Sequence, residues 1–242
     1  MLKRFDTNAA AVSFDQTPGI REPLAPARLE KAKQAFSLRR VAREDMHSLA
    51  SGALCPQAGD VVLARVEKLG QHRNLDTLTG RRHLFPGDEI LVCYGNRYAP
   101  DQYETEVPGD LSPCDLVAAG GMASRALCRH DGVKQPTALR PLGLVTDAQG
   151  KVLNLARYGL PLVSHAGPTP TAIAVVGTAM NAGKTTTAAH LVRGLALAGL
   201  RVAAIKATGT GSPNDISYFR DAGAEWVLDF TDAGFSSTYR VS

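Results

Sequence analysis

The pattern of apolar and polar positions changes near residue 165. Before that point, apolar runs are short and bounded by turn residues, as in Asp60–Val66, Glu89–Tyr94 and Asp115–Ala119. A further hairpin is predicted from Leu142–Val145 and Lys151–Leu155, which flank a polar turn. Runs of this length between turn residues predict β-strands. We therefore expect residues 51–163 to form a β-rich domain, either a small barrel or a sandwich.

The first 50 residues combine a polar start with a stretch of helical spacing. Residues 1–25 are rich in prolines and polar side chains, which is typical of an arm or a disordered tail. From Ala27 to Leu49, apolar residues recur near helical spacing among lysines and arginines, and Ser51-Gly52 follows. This spacing predicts a helix, so residues 1–50 are expected to form an N-terminal arm and helix.

After residues 164–170, which have the composition of a linker, strand-like and helix-like segments alternate. Strands that alternate with helices predict a parallel, doubly wound α/β sheet over residues 171–242. The predicted elements are a strand Thr171–Val176, a helix Thr185–Ala198, a strand Arg201–Lys206, a helix Asp215–Asp221 and a strand Trp226–Phe230.

A glycine-rich turn stands between the first of these strands and the first helix. It runs Gly177-Thr178-Ala179-Met180-Asn181-Ala182-Gly183-Lys184-Thr185. In such a phosphate-binding loop (P-loop), backbone N–H groups converge on phosphate oxygens, and the helix N-terminus adds its partial positive charge. Lys184 would reach the β- and γ-phosphates, and the Thr185 hydroxyl would hold Mg²⁺. The motif predicts binding of ATP or GTP with Mg²⁺ through Gly177, Thr178, Asn181, Ala182, Gly183, Lys184, Thr185 and Thr186.

The loop has an unusual spacing, with five residues, Thr178 to Ala182, between its first glycine and Gly183-Lys184. Together with Gly-Thr at its start and Gly-Lys-Thr-Thr at its end, this spacing resembles the dethiobiotin synthetase branch of P-loop proteins. That branch also holds cobyrinic acid amidases, the accessory GTP-binding protein of molybdopterin-guanine dinucleotide synthesis and a family that includes D-glutamate N-acetyltransferases. Partition ATPases carry an additional lysine where this chain has Ala179, which disfavours that class. The resemblance covers residues 171–242.

Two residues beyond the loop extend the resemblance. Lys206 closes the second predicted strand, where a lysine of dethiobiotin synthetase-like proteins faces the γ-phosphate and the substrate. Asp215-Ile216-Ser217 with Ala222-Gly223-Ala224 is similar to a stretch of the molybdopterin accessory protein, which implies that Asp215 binds Mg²⁺ or substrate. Lys206 as an ordinary strand-end lysine and Asp215 as a helix cap stay open as alternatives. Asp229 and Asp232, beside the third predicted strand, could lie near the metal, but a solvated loop is the favoured interpretation.

Domains of this branch continue through further strands, so residues 171–242 are expected to be C-terminally incomplete. Three explanations are open: a truncated chain, a split protein that a second chain completes, or a degenerate domain. A homo-oligomer or a second chain is therefore an expected partner, because an open half-sheet exposes apolar edges.

Several functions are compatible with this resemblance. The first is an ATP-dependent synthetase or ligase that activates a small carboxylate substrate, with Lys184 and Lys206 as catalytic residues. The alternatives are a nucleotide-binding accessory protein of cofactor biosynthesis and an N-acyltransferase that uses coenzyme A. Substrate specificity would come from the N-terminal part, where Gln71-His72-Arg73 and Gly95-Asn96-Arg97-Tyr98 are candidate site segments, although loops are the favoured interpretation of both.

Composition excludes some partners and compartments. The formal net charge of +4 concentrates around Arg39, Arg40 and Arg43, which are interpreted as a solvated helix surface, and the balanced charge elsewhere argues against nucleic acid. The chain start lacks the apolar stretch of a signal peptide, and no run approaches the ~18 residues of a membrane span. The cysteines are scattered without a C-x-x-C pair, which favours reduced thiols without zinc in a cytoplasmic protein.

Overall fold

A computed structural model describes residues 2–4, 20–161, 167 and 169–241. The N-terminal part is built almost entirely of strands. They are β1 (Leu2–Arg4), β2 (Ile20–Pro23), β3 (Lys33–Gln34), β4 (Ser48–Ser51), β5 (Val61–Lys68), β6 (Asn74–Thr77), β7 (Gly80–His83), β8 (Glu89–Tyr94), β9 (Arg97–Tyr98), β10 (Tyr103–Glu106), β11 (Cys114–Ala118), β12 (Met122–His130) and β13 (Thr137–Thr146). One short helix, α1 (Pro26–Lys31), precedes β3.

Five of these strands pair in a closed circuit, in the order β5, β8, β12, β11, β13 and back to β5. The pairing of β8 with β12 is parallel, and the other four pairings of the circuit are antiparallel. A sheet that closes on itself has no free edges and encloses a core. The prediction of a β-rich N-terminal unit made of short strands is confirmed.

Two neighbouring strands of the barrel, β5 and β8, are buried on both faces. Val62 and Val92 point into a cluster to which all five barrel strands contribute, which is the barrel interior. Their neighbours Leu63 and Leu91 point outward into a second cluster, which the segment 24–49 covers. Burial on both sides explains why these strands are continuous apolar runs rather than alternating ones.

The predicted helix from Ala27 to Leu49 is wrong. The segment is α-helical only at its start, in α1. The rest forms β3, the 3-10 turns Phe36–Leu38 and Arg43–Asp45, and β4. The physical reason is tertiary, because β3 pairs with β8 and β4 pairs with β13 on the outside of the barrel. The division of the chain into an N-terminal arm and helix at residues 1–50 and a separate β-rich domain stays a prediction. In the structure, residues 24–49 share a hydrophobic core with the barrel strands.

The predicted hairpin is confirmed, with backbone hydrogen bonds from the Leu153 amide to the Val145 carbonyl oxygen and from the Asp147 amide to the Lys151 carbonyl oxygen, although its second half is not a continuous strand. Residues 142–145 lie in β13, and the turn closes through a hydrogen bond from the Gly150 amide to the Asp147 carbonyl oxygen, 2.8 Å long. Residues 151–155 make single bridges, such as Val152 with Thr146, and then enter a 3-10 helix at Leu155–Tyr158.

The C-terminal part contains two helices and a pair of strands. They are α2 (Lys184–Leu197), β14 (Ala203–Lys206), α3 (Pro213–Asp221) and β15 (Trp226–Asp229). β14 and β15 pair in parallel, with Lys206 opposite Asp229. These four predicted elements and the parallel pairing of the strands are therefore confirmed, with small shifts of their ends.

The predicted strand Thr171–Val176 is not formed, and with it the doubly wound sheet is not shown. The segment is unpaired and largely exposed, since Val176 is 85% exposed. An apolar run without a ladder partner has no backbone hydrogen bonds to hold it as a strand. Both helices contribute to one cluster with Ala204 and Val227, whereas Ile205 and Leu228 on the opposite face of the strands are exposed.

The two parts of the chain pack against each other at a pair of glycines. Phe36 of the N-terminal part lies in the core cluster of α2 and α3. A side chain on Gly120, in the turn between β11 and β12, would place its Cβ only 1.9 Å from the carbonyl oxygen of Gly211. The turn at Gly120 therefore depends on glycine for this close approach.

Gly120→Ala is expected to lower the free energy of unfolding by about 1–3 kcal/mol, because the added methyl group overpacks this contact. Urea denaturation measures the change. Gly109→Ala is the matched control, since its Cβ meets no atom within 4 Å. Equal stability of the two variants would show that the parts do not pack closely here.

In the part of the chain that the structure describes, no helix is long and apolar enough to span a bilayer. The four cysteines, all within that part, form no disulfide with one another.

Candidate nucleotide-binding site

The glycine-rich loop turns sharply just before α2. Gly183, the residue at the N-terminal end of the helix, has φ +81°, and Asn181 has φ +60°. Glycine adopts this left-handed conformation without strain, and asparagine is among the side chains that tolerate it. The loop therefore leads directly into the N-terminus of a 14-residue helix, where the first N–H groups lack intrahelical acceptors and favour an anion.

Lys184 lies over the loop that precedes it. Its Nζ donates to the carbonyl oxygen of Ala179, 2.5 Å away. Its side chain also passes close to Gly177, because a Cβ on that glycine would lie 3.0 Å from Lys184 Cγ. The structure thus brings together the first glycine and the lysine of the motif, with the ammonium group on the solvent-facing side of the loop.

The other predicted loop residues face solvent. Thr178, Asn181, Ala182, Gly183 and Thr186 are exposed, and Thr185 is half-buried. All of these positions are accessible to a ligand of the size of a nucleotide. Their roles in binding stay predictions, as does the role of the Thr185 hydroxyl toward Mg²⁺.

Lys206 and Asp215 form an ion pair with each other. Lys206 ends β14, and Asp215 lies in the first turn of α3. The helix is capped by Ser212, whose side chain accepts from the Asn214 amide at 3.3 Å, so the interpretation of Asp215 as the cap is wrong. The pairing places one cation and one anion at the carboxyl end of the strand pair, where α/β folds bind ligands.

Asp229 and Asp232 do not lie in a solvated loop, and the expectation that they would is wrong. Asp229 has a fully buried side chain, and that of Asp232 is 10% exposed. Arg39 Nη2 donates to Asp229 Oδ1 at 2.8 Å and to Asp232 Oδ2 at 2.6 Å, and Arg39 Nη1 donates to Thr231 Oγ1. The sequence carries no local signal of this network, since its partners are 190 or more positions apart.

The interpretation of Arg39, Arg40 and Arg43 as a solvated helix surface is also wrong. Arg43 Nη1 and Nη2 donate to the carbonyl oxygens of Leu29 and Ala32, which lie at the end of α1. Arg40 Nε donates to the carbonyl oxygen of Tyr158. The three side chains bind parts of the fold together, so this positive charge carries no indication of an anionic partner.

The phosphate loop also contacts the N-terminal part. Asn181 Nδ2 donates to Asp101 Oδ2 over 2.9 Å. Asp101 lies in the turn between β9 and β10, next to the buried Arg97. A group bound at the loop would therefore lie close to the β9–β10 hairpin.

Among the described residues, no three His, Cys, Asp or Glu side chains are grouped to hold a metal ion. A Mg²⁺ ion that accompanies a nucleotide needs few protein ligands, because it keeps waters and binds phosphate oxygens. The Thr185 hydroxyl and the Asp215 carboxylate are oxygen ligands of the kind that Mg²⁺ prefers.

A glycine-rich loop that leads into a helix N-terminus beside a lysine defines a phosphate-binding site of the P-loop kind. Comparison with known proteins agrees with this class. The family model of the CbiA type, described as the CobQ/CobB/MinD/ParA nucleotide binding domain, matches residues 173–224. No curated protein and no solved structure matches the chain.

The match supports a P-loop nucleotide-binding domain in this stretch. It spans the loop, α2, β14 and α3. The families in its description include ParA beside CobQ and CobB, so the narrower resemblance to the dethiobiotin synthetase branch stays a prediction.

Proposed function

We propose that this chain binds Mg-ATP or Mg-GTP at residues 177–186 and is part of an enzyme that activates a small carboxylate substrate. The observation that carries the proposal is the coincidence of the family match at 173–224 with the loop and helix geometry at Gly183. The proposed location is the cytoplasm, with which the four free cysteines agree.

Each residue of the site has a defined role in this proposal. Lys184 exchanges its bond to the Ala179 carbonyl oxygen for the β- and γ-phosphate oxygens, and the amide groups before α2 bind the same phosphates. Thr185 and Asp215 would hold Mg²⁺, which would neutralise phosphate charge. Lys206 is released from Asp215 and stabilises negative charge on the transferred phosphoryl group or on the substrate.

The reaction is phosphoryl transfer. A carboxylate oxygen of the substrate forms a bond to the γ-phosphorus, the bond from that phosphorus to the β–γ bridging oxygen breaks, and the nucleoside diphosphate leaves. An amine then attacks the acyl carbon of the acyl phosphate, and inorganic phosphate leaves with the bonding electron pair. Catalysis of this kind rests on positioning and charge stabilisation, for which the two lysines are the available cations.

The expected result is release of the nucleoside diphosphate that depends on an added carboxylate. A panel of small carboxylates is incubated with the full chain, Mg-ATP or Mg-GTP, and hydroxylamine, which captures acyl phosphates as hydroxamates. Hydroxamate formation that Lys206→Ala reduces would support the proposal. Nucleotide binding without turnover would instead indicate the accessory role, and coenzyme A binding at the loop would indicate the acyltransferase.

A further inference from the structure

A second polar site lies in the N-terminal part, around Arg97. Eight buried side-chain N or O atoms of the described residues lack a hydrogen-bond partner, and five of them belong to this region. They are His72 Nε2, Asn74 Oδ1, Arg97 Nε, Asp101 Oδ1 and Thr105 Oγ1, and we call these five residues the Arg97 cluster. Buried polar groups are almost always paired in folded proteins, so such a concentration indicates a place built for a further partner.

Three of the five residues, Arg97, Asp101 and Thr105, lie on the β9–β10 hairpin. Arg97 stands opposite Thr105 in the β9–β10 ladder, so both side chains lie on one face. The charge of Arg97 acts on His72, and the charge of Asp101 acts on Arg97. Asn74 follows His72 at the start of β6. Donors and acceptors therefore share one buried region.

Arg97 is a buried cation with neutral partners. It is 6% exposed, its Nη1 donates to the Val117 carbonyl oxygen, and its Nη2 donates to Gln102 Oε1 at 2.9 Å. Within the residues that the structure describes, Arg97 forms no ion pair. A guanidinium group stays charged at neutral pH even though burial lowers the pKa of Arg97 to about 10. The carboxylate of Asp101 acts on this charge from nearby, but Arg97 Nε has no hydrogen-bond partner and is open to an anionic acceptor.

His72 supplies a hydrogen-bond acceptor, whereas Arg97 is a donor. Burial, with the nearby charge of Arg97, lowers the pKa of His72 to about 4, so its ring is neutral at pH 7. A hydrogen bond with the Val117 backbone opposes that shift and assigns the ring proton to Nδ1. The unpartnered Nε2 is then an acceptor, as is Asp101 Oδ1. The cluster thus offers a charged donor beside two acceptors.

We propose that the Arg97 cluster binds a small molecule with a carboxylate and an adjacent amino or hydroxyl group, next to the phosphate loop. Arg97 Nε–H and the Thr105 hydroxyl donate to the carboxylate, and His72 Nε2 and Asp101 Oδ1 accept from the amino or hydroxyl group. The Asn181–Asp101 contact of 2.9 Å places this ligand beside the nucleotide.

The ligand is the acceptor substrate of phosphoryl transfer only if the proposed function holds. Binding at Arg97 itself does not depend on that function, and the two ideas therefore fail separately. Acid binding without any nucleotide turnover would leave the site standing and remove the carboxylate-activating role. Carboxylate-dependent nucleotide turnover that Arg97→Met leaves unchanged would support the carboxylate-activating role and remove the Arg97 cluster as the substrate site.

The test is isothermal calorimetry of the full chain without nucleotide. The probes are L-serine, L-glutamate, L-lactate and L-malate, with acetate and inorganic phosphate as anions that lack the adjacent amino or hydroxyl group. At least one of the four acids is expected to bind more tightly than acetate or phosphate. Arg97→Met is expected to weaken that binding roughly 10-fold or more, as loss of a charge-assisted hydrogen bond does.

Two further variants separate binding from folding. Arg140→Met is the matched control, because Arg140 is exposed and pairs with the exposed Glu67, and it should leave binding unchanged. Thr105→Val keeps the shape of a fully buried residue and should weaken binding several-fold. The proposal is overturned if none of the four acids binds, if acetate or phosphate binds as well as they do, or if Arg97→Met and Thr105→Val bind like the wild type.

Discussion

Replacing Arg39 with leucine is expected to destabilise the folded protein by about 3–5 kcal/mol, because it leaves the buried carboxylate of Asp229 without a cation and that of Asp232 with only Arg40, 3.8 Å away. The Arg39 side chain is 11% exposed, and Asp229 beneath it is fully buried. Arg39 also lies 4.6 Å from the centroid of the Phe36 ring, and Phe36 belongs to the core of the C-terminal part. Loss of the guanidinium group therefore loosens the contact between the two parts of the chain as well as the ion pairs.

Urea or thermal denaturation of the full chain measures this loss. Arg140→Leu is the control, since its ion pair with Glu67 has side chains that are 52% and 45% exposed and should contribute less than about 1 kcal/mol. Combining Arg39→Leu with Asp229→Asn and Asp232→Asn should recover part of the stability, because no buried charge is then left alone. If Arg39→Leu were no more harmful than Arg140→Leu, the ion pairs would not hold the two parts together.

The Arg39 network shows what kind of feature the sequence could not predict. Arg39 stands in a run of basic residues whose local pattern is that of a solvated surface. Its partners are separated from it by most of the chain, and the hydrogen bond to Asp229 spans 190 positions. Burial and pairing of this kind depend on how distant segments meet, for which local spacing carries no signal.

Elements that depend on local pattern could be predicted. The helix α2 and the strands β8 and β14 lie within a few residues of the predicted positions, because turn residues and apolar periodicity define them locally. The segment 27–49 had helical spacing too, but its apolar residues pack around the outside of a closed barrel. Pairing with barrel strands overrode the local preference there.

The two candidate sites differ in the same way, because one depends on local sequence and the other on contacts between separate segments. The phosphate loop could be located from sequence, since nine consecutive residues carry its chemistry. The Arg97 cluster collects residues from 72 to 105 on different strands. From the sequence, His72 and Arg97 are polar groups in loops, and only the three-dimensional structure reveals that Arg97 and the Nε2 atom of His72 are buried.

Lys184→Ala is expected to weaken binding of Mg-ATP or Mg-GTP about 10- to 150-fold, which corresponds to the loss of about 1.5–3 kcal/mol of charge-assisted hydrogen bonding. The lysine begins α2 and its ammonium group is bonded only within the loop among the contacts that the structure describes, to the Ala179 carbonyl oxygen. It is therefore available to phosphate oxygens. Isothermal calorimetry of the wild type and the variant gives both affinities directly.

Folding and binding are separable in this experiment. The Lys184–Ala179 contact is exposed, so Lys184→Ala should leave thermal stability almost unchanged, in contrast to Arg39→Leu. Lys151→Ala, at an exposed lysine near the β13 turn, controls for the loss of a positive charge. A Lys184→Ala protein that binds nucleotide as tightly as the wild type would place the nucleotide outside the loop. Weaker binding in a protein of wild-type stability would instead locate the phosphates at the N-terminus of α2, beside the Asp101 contact that leads to Arg97.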